Sequence, residues 1–278
     1  MIPLRKGMML KLSRATTSLL IAVLCTLPVR SNSQDQGDQA RLAAILRKAA
    51  DYCRKLDRAA LDFVCLEEVT ETSYNLSPST DVYLYDYQLI RKTGGAKEQR
   101  NLVAVNGKKA NVRDTRPHTG HFQYENVLFG PVGLLSEYWQ SFLSYKLVGE
   151  DAIQDLKAVI VEATPGPELK EAHPYGKIWI REDDGSVLKI VWDQKSLGNF
   201  KTIEEWAKEH DALPQITSFS EYGFEKNGIR FPSRSYTEQA YLRKDRGKSP
   251  AAEISVVYKD YKFFTVETET IYSRLHFP

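Results

Sequence analysis

His118-Thr119-Gly120-His121 places two imidazoles three residues apart, with Asp114 upstream and His173 downstream. Imidazoles and carboxylates are zinc ligands, and a zinc ion with an open position activates water for hydrolysis. The corresponding function is a metal-dependent hydrolase on His118, His121 and His173. It is an alternative reading only, because Arg113 to Gly120 is rich in turn formers and carries no periodicity, and an exposed loop with solvated histidines explains it equally. Glu67, Glu68 and Glu71 form a second cluster, of the kind that serves acid–base catalysis when one carboxyl raises the pKa of another. On a strand, however, Glu67 and Glu68 point to opposite faces, so solvated edge charges are expected there. Asp183-Asp184-Gly185 lacks the further ligands of a calcium loop and is expected to be a hairpin turn. Gly-x-Gly-x-x-Gly, the phosphate-binding Gly-x-x-x-x-Gly-Lys-[Ser/Thr], His-Glu-x-x-His and Gly-x-Ser-x-Gly are all absent. No cofactor is expected.

The aromatic residues offer chemistry of another kind. Fifteen tyrosines, eleven phenylalanines and four tryptophans gather on the segments with strand character and on a run from Pro131 to Tyr145. Core packing accounts for them. The sharper reading is a curved sheet whose concave face bounds a lipid-sized apolar cavity, since ligand pockets are mostly apolar and lie in barrel mouths. Leu135, Trp139 and Phe142 would then face the cavity from a helical lid or plug, with Tyr83 and Tyr85 as the opposing wall.

These residues have to be positioned by a leading helix and a long series of strands. Leu42, Ile45, Leu46, Ala49, Cys53 and Leu56 recur at helical spacing, so residues 39–57 are expected to form an amphipathic helix. The period then changes to two. Strands are expected at Phe63–Tyr74, Asp81–Ile90, Asn101–Val105, Ala158–Ala163, Lys177–Arg181, Val187–Trp192, Ile216–Glu225, Ile229–Tyr241 and Glu253–Glu267. Asn106-Gly107, Asp184-Gly185 and Asn227-Gly228 are tight-turn signals, and strands joined by tight turns are antiparallel. Gly130-Pro131 opens a helix that extends to Tyr145, and Thr202–His210 forms a shorter one around Ile203, Trp206 and Ala207.

The N-terminus carries an address. Residues 1–15 hold four basic and no acidic residues, 16–29 are largely apolar, and Ser31-Asn32-Ser33 supplies a small-x-small cleavage site. That is the pattern of a secretory signal, residues 1–33, cleaved near Ser33. The apolar run is shorter than the roughly 20 residues that span a bilayer. Cys25 lies within it behind Leu24, where a bacterial lipobox wants a small residue. The 278-residue chain has 38 basic and 36 acidic residues, a net charge of +2. Removing the five basic residues before position 34 leaves 33 against 36, a net −3. No basic surplus remains for nucleic acid. Cleavage leaves Cys53 and Cys65, and two cysteines in an oxidising compartment are expected to form a disulfide clamping the helix to the first strand. Residues 34–278 are expected to be one domain.

Tyr175-Gly176-Lys177-Ile178-Trp179-Ile180, the turn Asp184-Gly185 and Val187-Leu188-Lys189-Ile190 resemble a hairpin of the periplasmic outer-membrane lipoprotein-sorting carriers, the LolA/LolB-like superfamily. The hairpin from Tyr222-Gly223-Phe224 to Gly228-Ile229-Arg230-Phe231-Pro232-Ser233 is similar in kind. Tyr52-Cys53 with Phe63-Val64-Cys65-Leu66-Glu67 resembles the opening of a group of secreted bacterial proteins. Arg181-Glu182 stands where the carriers have an aspartate, and the cysteine pair is not general among them. The resemblance implies an incomplete β-barrel wrapped around helices, with a cavity for acyl chains. The expectation is an α+β protein: a curved antiparallel sheet, an incomplete β-barrel, packed on the N-terminal helix and one or two inserted helices. It would be periplasmic or secreted and non-enzymatic, carrying or sensing lipid or an acylated lipoprotein. An envelope protein-interaction scaffold without a ligand is the other alternative, and it predicts a filled interior.

Overall fold

A computed structural model describes residues 32–58, 62–74, 77–92, 95–122 and 127–264. The first helix, α1 (Asn32–Arg58), starts earlier than its apolar stripe requires, because the polar run before the stripe is also helical. The expected signal lies outside the described residues, apart from Asn32 and Ser33 in the first turn of α1. Four strands follow: β1 (Asp62–Ser73), β2 (Ser79–Lys92), β3 (Gly95–Val105) and β4 (Lys108–Val112). Each pairs antiparallel with its predecessor, so the chain builds one sheet outward to an edge at β4.

From that edge the chain crosses to the other. Among its described residues the crossing carries a 3-10 turn (Val127–Phe129) and two short helices, α2 (Gly130–Leu135) and α3 (Glu137–Gln140). The expected continuous helix to Tyr145 is therefore corrected. Ser136 is extended, with φ −63° and ψ 153°, and ends α2 while opening α3. After α3 the apolar residues recur at Leu143, Tyr145 and Leu147, a period of two, and the segment enters strand β5 (Leu143–Ile153).

The chain then returns across the sheet through β6 (Leu156–Pro165), β7 (Gly176–Ile180) and β8 (Val187–Trp192). Helix α3 is followed in the series by α4 (Phe200–Glu209), which leads to β9 (Ala212–Glu221). A small hairpin, β10 (Phe224–Lys226) and β11 (Ile229–Phe231), precedes β12 (Arg234–Arg243) and β13 (Gly247–Phe264). The two long strands expected at 216–225 and 229–241 are thus each split. Gly223 and Pro232-Ser233 bend the chain out of the main sheet, and the hairpin between them pairs only with itself.

The sheet has eleven strands in the order β4-β3-β2-β1-β13-β12-β9-β8-β7-β6-β5, all pairings antiparallel. The last strand closes against the first, so the two ends of the fold meet in mid-sheet. The sheet is open: β4 and β5 are its edges. Register shifts at Val64/Leu66, Leu84/Tyr85, Leu147/Gly149 and Gln239/Ala240 add local twist and bend. This is the incomplete barrel expected from the sequence.

Helix α1 covers one end of the concave face, burying Ile45, Ala49, Tyr52, Cys53 and Leu56. The Asp183-Asp184-Gly185 turn docks on it. Gly185 has φ +74°, and a Cβ there would lie 2.3 Å from the Lys48 carbonyl carbon. Only glycine gives both the conformation and the clearance. The Arg41 guanidinium secures the same contact, donating to both carboxylate oxygens of Glu182 at 2.8 and 2.7 Å.

Candidate functional site

The crossing segment roofs part of the concave face, and its position is set by hydrogen bonds to its own carbonyls. Tyr222 donates to Val127 O at 2.8 Å, Tyr145 to Leu134 O at 2.5 Å, and Cys53 to Pro131 O at 3.4 Å. The loop before it, residues 113–122, is held from below. The buried Glu71 carboxylate accepts the backbone N–H groups of Gly120 and His121 at 2.7 and 2.9 Å.

Between roof and sheet lies a cavity of about 890 Å³. Its floor is the inward-facing residues of four strands: Trp192 of β8, Ile216, Ser218 and Ser220 of β9, Ser235 and Thr237 of β12, and Ile254 and Val256 of β13. The alternation of the strands brings these side chains to one face. Phe122, Val127, Phe129 and Leu134 line it from the roof, and α4 contributes Ile203. Gly120, His121, Gly198 and Asn199 are exposed and form the rim. Helix α4 is fixed by burying Phe200, Ile203 and Ala207 against Ala212, Ile216 and Tyr241. No Asp, Glu, Lys, Arg or Cys is among the described lining residues, so the cavity wall carries no permanent charge. The volume falls within the ~300–1,000 Å³ typical of small-molecule sites.

The five residues expected to line a cavity are elsewhere. Leu135, the last residue of α2, is fully buried in the core, one residue from the lining Leu134. Trp139 stacks on His173 with ring centroids 3.7 Å apart and 20° between planes, and Phe142 packs against Trp139 and Tyr138. Tyr85 is fully buried, and its hydroxyl accepts the His118 backbone N–H at 2.9 Å; burial pushes its phenol up to about 12. Tyr83 stacks on Tyr85 and on His118. These aromatics are packing and anchors for the roof, and the cavity lies toward β8, β9, β12 and β13 instead. The serine and threonine floor was not singled out from the sequence. Its signal was present in Ile216-x-Ser218-x-Ser220, an alternating strand whose inward face turns polar.

The histidines do not assemble a metal centre. His121 and His173 both line the cavity, but His118 is outside it, bonded to Thr115 at 2.9 Å. His173 Nε2 is 2.6 Å from Gly133 O, a structural bond. Among the described residues no three His, Cys, Asp or Glu side chains come together to hold a metal ion.

Two other expectations are corrected. Glu67 is not a solvated edge charge. It is fully buried and receives Nε and Nη2 of Arg100 at 2.7 and 3.1 Å, the two strands β1 and β3 flanking β2 between them. The Arg100 guanidinium also lies 4.7 Å over the Tyr87 ring. Cys53 and Cys65 are not bridged. Both are free, buried thiols, because α1 directs Cys53 to the Pro131 carbonyl while β1 directs Cys65 toward Tyr261. Burial pushes the Cys53 thiol up to about 12 and raises that of Cys65 as well.

No protein-family model matches the sequence, and no curated protein matches it. The structure is similar to several solved structures. A LolA superfamily protein from Nitrosomonas europaea is 11% identical, with 80% of this chain and 94% of that chain covered and a TM-score of 0.36. A putative outer membrane lipoprotein-sorting protein domain from Vibrio parahaemolyticus is 14% identical, covers 81% and 94% respectively, and has a TM-score of 0.38. A DUF1329 family protein from Desulfovibrio piger is 12% identical, with 84% and 95% covered and a TM-score of 0.37. Among the described residues no helix is long and apolar enough to cross a membrane.

Proposed function

We propose that this chain is an exported, non-enzymatic carrier or sensor that takes lipid or lipoprotein acyl chains into the cavity on the concave face. The observation that carries the proposal is the cavity itself: about 890 Å³, with apolar side chains of the roof, α4 and β13 and no permanent charge on its described wall. Binding there draws on apolar area removed from water, about 0.8 kcal/mol for each methylene buried. No catalytic group is needed. The described lining offers hydroxyls but no carboxylate to activate them. A ligand-free scaffold predicts a filled interior, which is at odds with a cavity of this size.

The test is native mass spectrometry of the protein expressed with its leader and released gently from a bacterial periplasm. A co-purifying mass in the phospholipid or acylated-peptide range is expected. Gly133 lines the cavity, and a Cβ added there meets only His173, at 3.9 Å. The variant Gly133→Phe is therefore expected to lose the bound mass while keeping its circular dichroism. A lipid-free mass for the wild type, together with no uptake from phospholipid vesicles, would refute the carrier reading.

A further inference from the structure

Resting on that carrier reading, we infer that the cavity floor contains a polar subsite, formed by Ser220 and the Ser218–Thr237 pair, that holds an uncharged acyl carbonyl and rejects a free carboxylate. Ser218 faces Thr237 across the β9–β12 pairing, and Ser220 faces Ser235. All four line the cavity. The Ser218 and Thr237 hydroxyls are 2.9 Å apart. A hydroxyl pair uses one O–H hydrogen on itself and retains the other to donate. Ser220 is 4% exposed and accepts the Trp192 indole N–H at 3.3 Å. Its own O–H hydrogen has no acceptor among the described residues. Two hydrogen-bond donors therefore face the cavity from a floor in which Ser218 and Ser220 are buried and Thr237 is half-buried, flanked by Ile216, Ile254 and Val256.

A buried donor without an acceptor is costly, and a guest that brings an acceptor removes that cost. An ester or amide carbonyl is such an acceptor and is uncharged. A carboxylate would also accept, but it would leave water for a wall whose described lining has no Lys or Arg to pair it and whose two imidazoles, His121 and His173, lie off the serine and threonine floor, a much larger penalty. The floor thus selects an acyl chain that is still esterified or amidated. Two sources share this chemistry, a glycerolipid and an acylated peptide.

The experiment displaces an uncharged naphthalene fluorophore from the purified protein at pH 8. The competitors have one chain length: monopalmitoylglycerol, an N-palmitoyl peptide, and palmitate. The ester or the amide is expected to compete at least about ten-fold better than palmitate. Whichever of the two competes better identifies the source. Ser220→Ala and the double variant Ser218→Ala/Thr237→Val, each with its own fluorophore affinity measured directly, are expected to weaken the favoured competitor by roughly three- to ten-fold relative to the fluorophore. The double variant removes both members of a pair, so it leaves no orphaned hydroxyl to unfold the sheet. Palmitate competing as well as the ester and the amide would overturn the inference. So would unchanged affinity in both variants. Either result leaves the carrier reading standing, whereas a wild type that binds neither the fluorophore nor any competitor overturns both.

Discussion

Glu67 and Arg100 are 0% and 5% exposed, and their pairing is bidentate. Such a pair adds little net stability over an apolar isostere, but removing one member leaves an uncompensated charge in the interior. Arg100→Met is expected to destabilise the fold by about 3–5 kcal/mol in urea unfolding, and Glu67→Leu added to it should recover part of that loss, because Arg100 also donates to Glu98 at 3.3 Å. The two thiols make a separate prediction. Both are buried, and burial disfavours the thiolate that reacts with alkylating agents. At pH 8 Cys53 and Cys65 of the native protein should resist iodoacetamide, and peptide mass mapping should find both alkylated once it is unfolded in denaturant. No alkylation after unfolding without reductant would show the Cys53–Cys65 bridge that this structure lacks.

Elements that carry few residues decide the site. The loop 113–122 has no regular structure, yet it walls the cavity through Thr119, Gly120, His121 and Phe122. Its anchor is one carboxylate on β1 receiving two backbone N–H groups. Glu71→Ala removes both acceptors, and hydrogen exchange at the Gly120 and His121 amides is expected to accelerate by more than ten-fold, with the β1–β13 amides unaffected. Equal acceleration across the sheet would mean that Glu71 supports the whole fold and not the loop. Helix α1 and the β7–β8 turn are tied in the same economical way, by Gly185 and the Arg41–Glu182 pair.

The whole molecule buries an unusual set of acids. Tyr52, Tyr87, Tyr222 and Tyr261 are raised above the ordinary phenol value, in each case first by burial, and Cys53 is raised from 9.0 to about 12. Below about pH 8 these groups hold their protons in both folded and unfolded chains, and their contribution to stability is fully present. Between about pH 8 and 12 the unfolded chain releases protons that the native one keeps, so stability falls as pH rises, by at most about 1.4 kcal/mol per pH unit for each group. Urea midpoints should be flat from pH 7 to 8 and decline steeply above 9.5. A midpoint that holds to pH 11 would contradict this accounting of the core.

Local spacing determined the leading helix, the antiparallel character of the strands and the turns at Asn106-Gly107, Asp184-Gly185 and Asn227-Gly228, because period and turn chemistry are properties of neighbouring residues. It marked those strands as aromatic-rich for the same reason, while the incomplete barrel was what the family resemblance implied. Tertiary structure alone decided which part of that sheet stays unfilled. The aromatics of β2 and of the crossing segment were taken up by contacts distant in sequence, Tyr85 with the His118 backbone and Trp139 with His173, and so became packing. The cavity fell over the strands that carry the short side chains Ser218, Ser220, Ser235 and Thr237, beside Ile216, Ile254 and Val256. Glu67 followed the same logic: its charge looks solvated until a strand 33 residues away supplies Arg100. Burial is a sum over partners from the whole chain, and a window of a few residues contains none of them.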